Sequence, residues 1–77
     1  MTVMFKSISF EVTGDKRLVC KSCEQRVERM LRSLEGVSQV RAQADTQRID
    51  VLFDAAVVEP TTIADRLSAA GYEPKVA

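Results

Sequence analysis

Seventy-seven residues, 45% of them hydrophobic and 29% charged, make one domain, residues 1–77, with a core of one layer packed on another and no room for a separate catalytic lobe. Eleven Lys+Arg balance eleven Asp+Glu, which argues against bulk electrostatic binding to nucleic acid or to an anionic membrane. No apolar run nears the roughly 20 residues that span a bilayer, so direct membrane insertion is not expected. The opening Met1-Thr2-Val3-Met4-Phe5-Lys6 has neither the basic region nor the long apolar stretch of a secretory signal, and a cytoplasmic setting is the expectation.

In chain order, Ile8-Ser9-Phe10-Glu11-Val12 alternates apolar and polar, the pattern of a strand with one wet face. Thr13-Gly14-Asp15-Lys16 then forms a polar loop. Val27, Met30, Leu31 and Leu34 recur at i, i+3, i+4 and i+7, which predicts an amphipathic helix over about Ser22–Glu35. Gly36 is expected at its C′ position, and Glu28–Arg32 is spaced as an i, i+4 ion pair. Val40, Ala42 and Ala44 share one parity, Ile49, Val51 and Phe53 another, and Asp45-Thr46-Gln47 lies between them. Two antiparallel strands joined by a short turn follow from this. Pro60 suits the first turn of a second helix that places Ile63, Leu67 and Ala70 on one face and closes at Gly71. Tyr72–Val76 has length for a short last strand, which Pro74 restricts to a sheet edge. The order is βαββαβ. Its natural packing is α+β, a ferredoxin-like sandwich with two helices on one face of a four-stranded antiparallel sheet.

The chain has no histidine and only two cysteines, Cys20 and Cys23. The usual general base and the commonest metal ligand are therefore missing, and one chain cannot supply the four N/S ligands of a structural zinc site. Cys20-Lys21-Ser22-Cys23 falls where the first loop enters the helix, with Cys23 expected at the helix start. Unpaired helix N–H groups, the positive end of the dipole and the side chains of Lys16, Arg17, Lys21 and Arg26 should favour thiolate there. Four readings are open for the pair: structural thiols or a short-range disulfide, a thiol–disulfide oxidoreductase, zinc shared with a second molecule, and a soft ion held by two sulfurs. Soft thiolates select Cu(I), and a linear site needs only two of them.

Val12-Thr13-Gly14, Leu18-Val19-Cys20-Lys21-Ser22-Cys23, Val27, Leu31, Leu34-Glu35-Gly36-Val37 and Ala70-Gly71-Tyr72 together resemble a heavy-metal-associated domain. That family includes soluble copper chaperones, N-terminal domains of copper-transporting P-type ATPases and mercury-binding resistance proteins. The resemblance implies the same ferredoxin-like fold, no catalysis, and metal on Cys20 and Cys23: Cu(I) first, with Hg(II) or Zn(II) as alternatives. Where members read Gly-Met-Thr-Cys or Gly-Met-His-Cys, this chain inserts Asp15-Lys16-Arg17 after Gly14. Leu18 stands in for the methionine beneath the metal loop and Val19 for the threonine or histidine. Leu18, Val19, Lys21 and Ser22 are thus expected to support the loop. Tyr72, by its place after a helix-ending glycine a packing residue, is by resemblance near the metal loop, able to shield an ion without ligating it, as in bacterial soluble chaperones.

Residues 1–41 carry eight Lys/Arg and five Asp/Glu, residues 42–77 three and six, so a +3 half adjoins a −3 half. Lys16, Arg17, Lys21 and Arg26 surround the cysteines and form the expected docking face. The implied partner is a copper-transporting P-type ATPase or another metal-accepting protein with an acidic face. An RNA-binding role is rejected, because Arg48-Ile49-Asp50-Val51-Leu52-Phe53-Asp54 lacks the Gly and aromatic pattern of such sheets. The expectation is a copper chaperone, monomeric when apo, with a metal-bridged dimer as a loaded form and a regulatory ATPase domain as the alternative reading.

Overall fold

A computed structural model of the protein describes residues 4–14 and 17–76. The predicted elements appear in the predicted order: β1 (Phe5–Thr13), α1 (Lys21–Arg32), β2 (Val37–Gln43), β3 (Arg48–Asp54), α2 (Pro60–Ala69) and β4 (Glu73–Val76). The strands form one four-stranded sheet in the order β2-β3-β1-β4, with every neighbouring pair antiparallel. This is the ferredoxin-like βαββαβ sandwich.

The period-2 patterns decide the register. Phe10 pairs with Ile49, which pairs with Ala42, and Ile8 pairs with Val51, which pairs with Val40. Each apolar set therefore lands in rows on one face, and a slip of one residue would turn a whole strand inside out. Val27 and Leu31 of α1 and Ile63 and Leu67 of α2 close over these rows, all 0–1% exposed. Burying each such side chain stabilises the fold by roughly 1.5–3 kcal/mol. The opposite sheet face mixes polar groups with Phe5 and Leu52: the Ser9 hydroxyl donates to Asp50 at 2.5 Å, and Arg48 stands 3.9 Å from the same carboxylate.

Three expectations about α1 need correction. The helix ends at Arg32 with Ser33 as C-cap, a turn short of Glu35. The Ser33 hydroxyl donates to the Met30 carbonyl at 2.6 Å and the Leu34 N–H donates to the Leu31 carbonyl at 3.1 Å, which tightens and stops the last turn. Gly36 is not the C′ residue; it lies three residues beyond the cap, and at φ +93° its carbonyl accepts the Asp54 N–H at 2.7 Å. Nor does Glu28 pair with Arg32. Its carboxylate accepts the Ala42 N–H at 3.1 Å, and Glu24, one turn earlier, accepts the Ala44 N–H at 2.6 Å. β2 is an edge strand, and Glu28 occupies an N–H of it that would otherwise invite another strand, while Glu24 holds the first residue of the turn beyond.

α2 ends in a Schellman turn. Gly71, at φ +96°, donates its N–H to Ser68 at 3.0 Å, and Tyr72 donates its N–H to Leu67 at 3.1 Å. The left-handed glycine reverses the chain into β4, on the sheet edge that Pro74 requires.

Candidate metal centre

The loop from β1 to α1 is anchored before it reaches the cysteines. Leu18 is 2% exposed and buried in the core, whereas Val19 is 77% exposed. Cys20 is the N-cap of α1, with extended backbone (φ −156°, ψ 173°), and its carbonyl accepts the Glu24 N–H at 3.1 Å. Cys23 therefore sits at N3, inside the first turn rather than at its start.

This placement brings the sulfurs together. Cys20 Sγ lies 3.4 Å from Cys23 Sγ and 3.0 Å from Ser22 Oγ. Both thiols are free; Cys20 is exposed, while Cys23 is half-buried against the core. The Cys20 thiol falls from an ordinary 9.0 to about 7, first through the Ser22 hydroxyl, then through the Cys23 N–H and thiol, with a smaller part from the Ser22 N–H. The N–H groups at the helix start act as expected, joined by the Ser22 hydroxyl and the Cys23 thiol, while Arg17, Lys21 and Arg26 take no part. Long cations pointing into water are screened, whereas donors at contact distance are not.

Tyr72, buried at the start of β4, stands close enough to sense both sulfurs. Its phenol is raised above its usual value by burial and by the negative charge of Cys23, opposed by Arg26, with a smaller contribution from Cys20. Arg17, Lys21 and Arg26 are exposed around the loop, and Lys16 lies outside the described residues. Among the described residues no three His, Cys, Asp or Glu side chains gather to hold an ion.

Gln47, which no motif marks, completes the loop. It is the one described non-glycine residue at positive φ, +55°. Its Oε1 accepts the Leu18 N–H at 2.9 Å, and its Nε2 donates to the Leu18 carbonyl at 2.6 Å and to the Ala44 carbonyl at 2.5 Å. A partner 29 positions away leaves no spacing signal in a single sequence. The polar turn Asp45-Thr46-Gln47 is the only trace of it.

With this geometry in hand, similarity to known proteins is informative. The profile of the heavy-metal-associated domain matches residues 16–73. The copper chaperone CopZ of Bacillus subtilis is 37% identical over 54 residues, covering 70% of this chain and 78% of that protein. A zinc-transporting ATPase of Synechocystis is 37% identical over 59 residues, 73% of this chain, yet the chain spans only 8% of that transporter's length. Among solved structures, the copper-binding domain of HMA7, a P-type ATPase, superposes with a TM-score of 0.81 at 30% identity, over 92% of each chain. The chain belongs to the heavy-metal-associated domain family.

Proposed function

We propose that this domain carries Cu(I) between the sulfurs of Cys20 and Cys23 and passes it to a partner by thiolate exchange. The observation that carries the reading is the sulfur pair itself: two free thiols 3.4 Å apart at an exposed helix start, one of them lowered to about 7. With metal–thiolate bonds on the order of 2.3 Å, a linear site needs about 4.6 Å between sulfurs. The pair must open by roughly 1 Å, which rotation of the exposed Cys20 side chain supplies. Binding releases the two thiol protons to solvent and leaves an anionic dithiolate complex.

Transfer then proceeds without catalysis or redox change. A partner thiolate adds to the open two-coordinate ion, one original sulfur leaves, and the proton shed by the incoming thiol restores the leaving one. The exposed, basic surroundings of Arg17, Lys21 and Arg26 suit a partner with an acidic face on the cytoplasmic side of a membrane transporter. Similarity to a copper chaperone over most of both chains favours a carrier, while similarity to short segments of transporting ATPases supports the same site as a regulatory domain. Zn(II), suggested by one relative, is disfavoured here because half of its tetrahedral shell would have to come from water or a second chain.

Competition with a chromophoric Cu(I) chelator tests the reading. One Cu(I) should bind per chain, and Cys20→Ser and Cys23→Ser should each lose most of the affinity. Retained tight binding in either variant would sink the two-sulfur site.

A further inference from the structure

We propose that Gln47 is a positioning residue for the metal centre: its carboxamide clamps the loop backbone at Leu18 and so holds Cys20, two residues on, where it meets Cys23. The inference rests on the dithiolate reading above and adds to it a residue from a different part of the chain. One carboxamide answers both polar groups of Leu18, accepting its N–H at 2.9 Å and donating to its carbonyl at 2.6 Å, as a neighbouring strand would. The second Nε2 proton goes to Ala44, and the Gln47 carbonyl accepts the Val12 N–H at 2.8 Å. Gln47 thereby ties together β1, the β2–β3 turn and the metal loop.

The backbone at this position argues that the side chain is there for a purpose. A left-handed φ of +55° suits glycine or asparagine better than glutamine. Glycine has no side chain, and asparagine is a methylene too short to make the reciprocal pair. Glutamine alone combines the reach with a donor and an acceptor, since glutamate would face the Leu18 and Ala44 carbonyls with a second oxygen. Two fixed points then bracket the loop's approach to Cys20: the Leu18 side chain in the core and its peptide groups on Gln47. A preorganised pair of sulfurs holds an ion more tightly than a pair that must first be ordered, and outer-shell contacts of this kind are commonly worth 10–100-fold in metal affinity.

The test uses Gln47→Gly and Gln47→Asn, both of which the backbone accepts at least as well as the parent. Three measurements are made on each: Cu(I) competition, thermal unfolding, and amide hydrogen exchange on metal-free protein. The expected result is a Cu(I) dissociation constant raised about tenfold or more and a Leu18 amide exchanging at least about tenfold faster. Phe10 and Val51 amides keep their protection, and the unfolding temperature stays within about 5 °C of the parent. Gln47→Glu should weaken Cu(I) binding in the same way. Parental Cu(I) affinity in Gln47→Gly, or a Leu18 amide already unprotected in the parent, would overturn the proposal. So would loss of protection across the whole sheet, which would make Gln47 a residue of the fold. The exchange measurement needs no metal, so failure of the clamp is told apart from failure of the dithiolate site, which the cysteine variants report.

Discussion

Replacing Ser22 with alanine isolates the strongest influence on the reactive sulfur. Ser22 is the second residue of α1 and exposed, where alanine is at least as good a helix former, so the fold should not respond. What goes is the hydroxyl 3.0 Å from Cys20 Sγ, the largest of the contacts that bring this thiol from 9.0 to about 7. The Cys23 and Ser22 N–H groups and the Cys23 thiol remain, so the midpoint should climb by about one unit rather than by the whole drop. At pH 7 the thiolate fraction then falls from about half to about a tenth. A more basic thiolate is also a better nucleophile, by roughly threefold per unit, so the alkylation rate at that pH falls only about twofold. The informative readout is consequently the whole pH profile of Cys20 alkylation, followed by peptide mass spectrometry. The parent should reach half its maximal rate near pH 7; Ser22→Ala should do so about one unit higher with a plateau about threefold faster, and Ser22→Thr should restore the parent curve. Coincident midpoints for parent and alanine variant, or a parent midpoint near 9, would refute the assignment.

Two further outcomes test other levels of the structure. Gly36→Ala should cost about 2–5 kcal/mol in urea unfolding, from left-handed strain plus overpacking, because at φ +93° a Cβ would meet Val57 Cβ and Cγ1 at 2.9 Å and Val58 Cγ1 at 3.0 Å; a loss below about 1 kcal/mol would show that these valines move aside freely. Arg17→Glu with Arg26→Glu should slow Cu(I) transfer to an acidic acceptor domain at about 0.1 M salt, with the difference vanishing near 1 M as the screening length falls to about 3 Å. Intrinsic Cu(I) affinity should stay within about tenfold, and a salt-independent rate would remove these side chains from the docking face.

Local patterns carried the fold because each is a consequence of local geometry. Alternation in Ile8–Val12 and Ile49–Phe53, the i, i+3, i+4, i+7 stripe of α1 and the Pro60 and Gly71 boundaries of α2 each have one physical reading, and every element was legible in the sequence. Cys20 and Cys23 were equally plain as candidates, since two residues between cysteines at a helix start bring the sulfurs near each other whatever lies elsewhere. The stop of α1 was less plain, because the Ser33 hydroxyl competing for the Met30 carbonyl outweighs an apolar stripe that runs on to Leu34. What only the tertiary structure decided is which polar groups meet. Glu28 looks from its own helix like a partner for Arg32, but β2 packs alongside and offers the Ala42 N–H, which holds the carboxylate better than a solvated guanidinium does, while the Ala44 N–H just beyond β2 takes Glu24. The Cys20 thiol is lowered by the Ser22 hydroxyl and the Cys23 groups beside it, with no share from Arg17, Lys21 or Arg26. Gln47 reaches Leu18 across 29 positions because the β2–β3 turn and the metal loop lie side by side. Secondary structure follows from periodicity along the chain, while hydrogen-bond partners are chosen by what the folded chain brings within 3 Å, and no spacing rule encodes that.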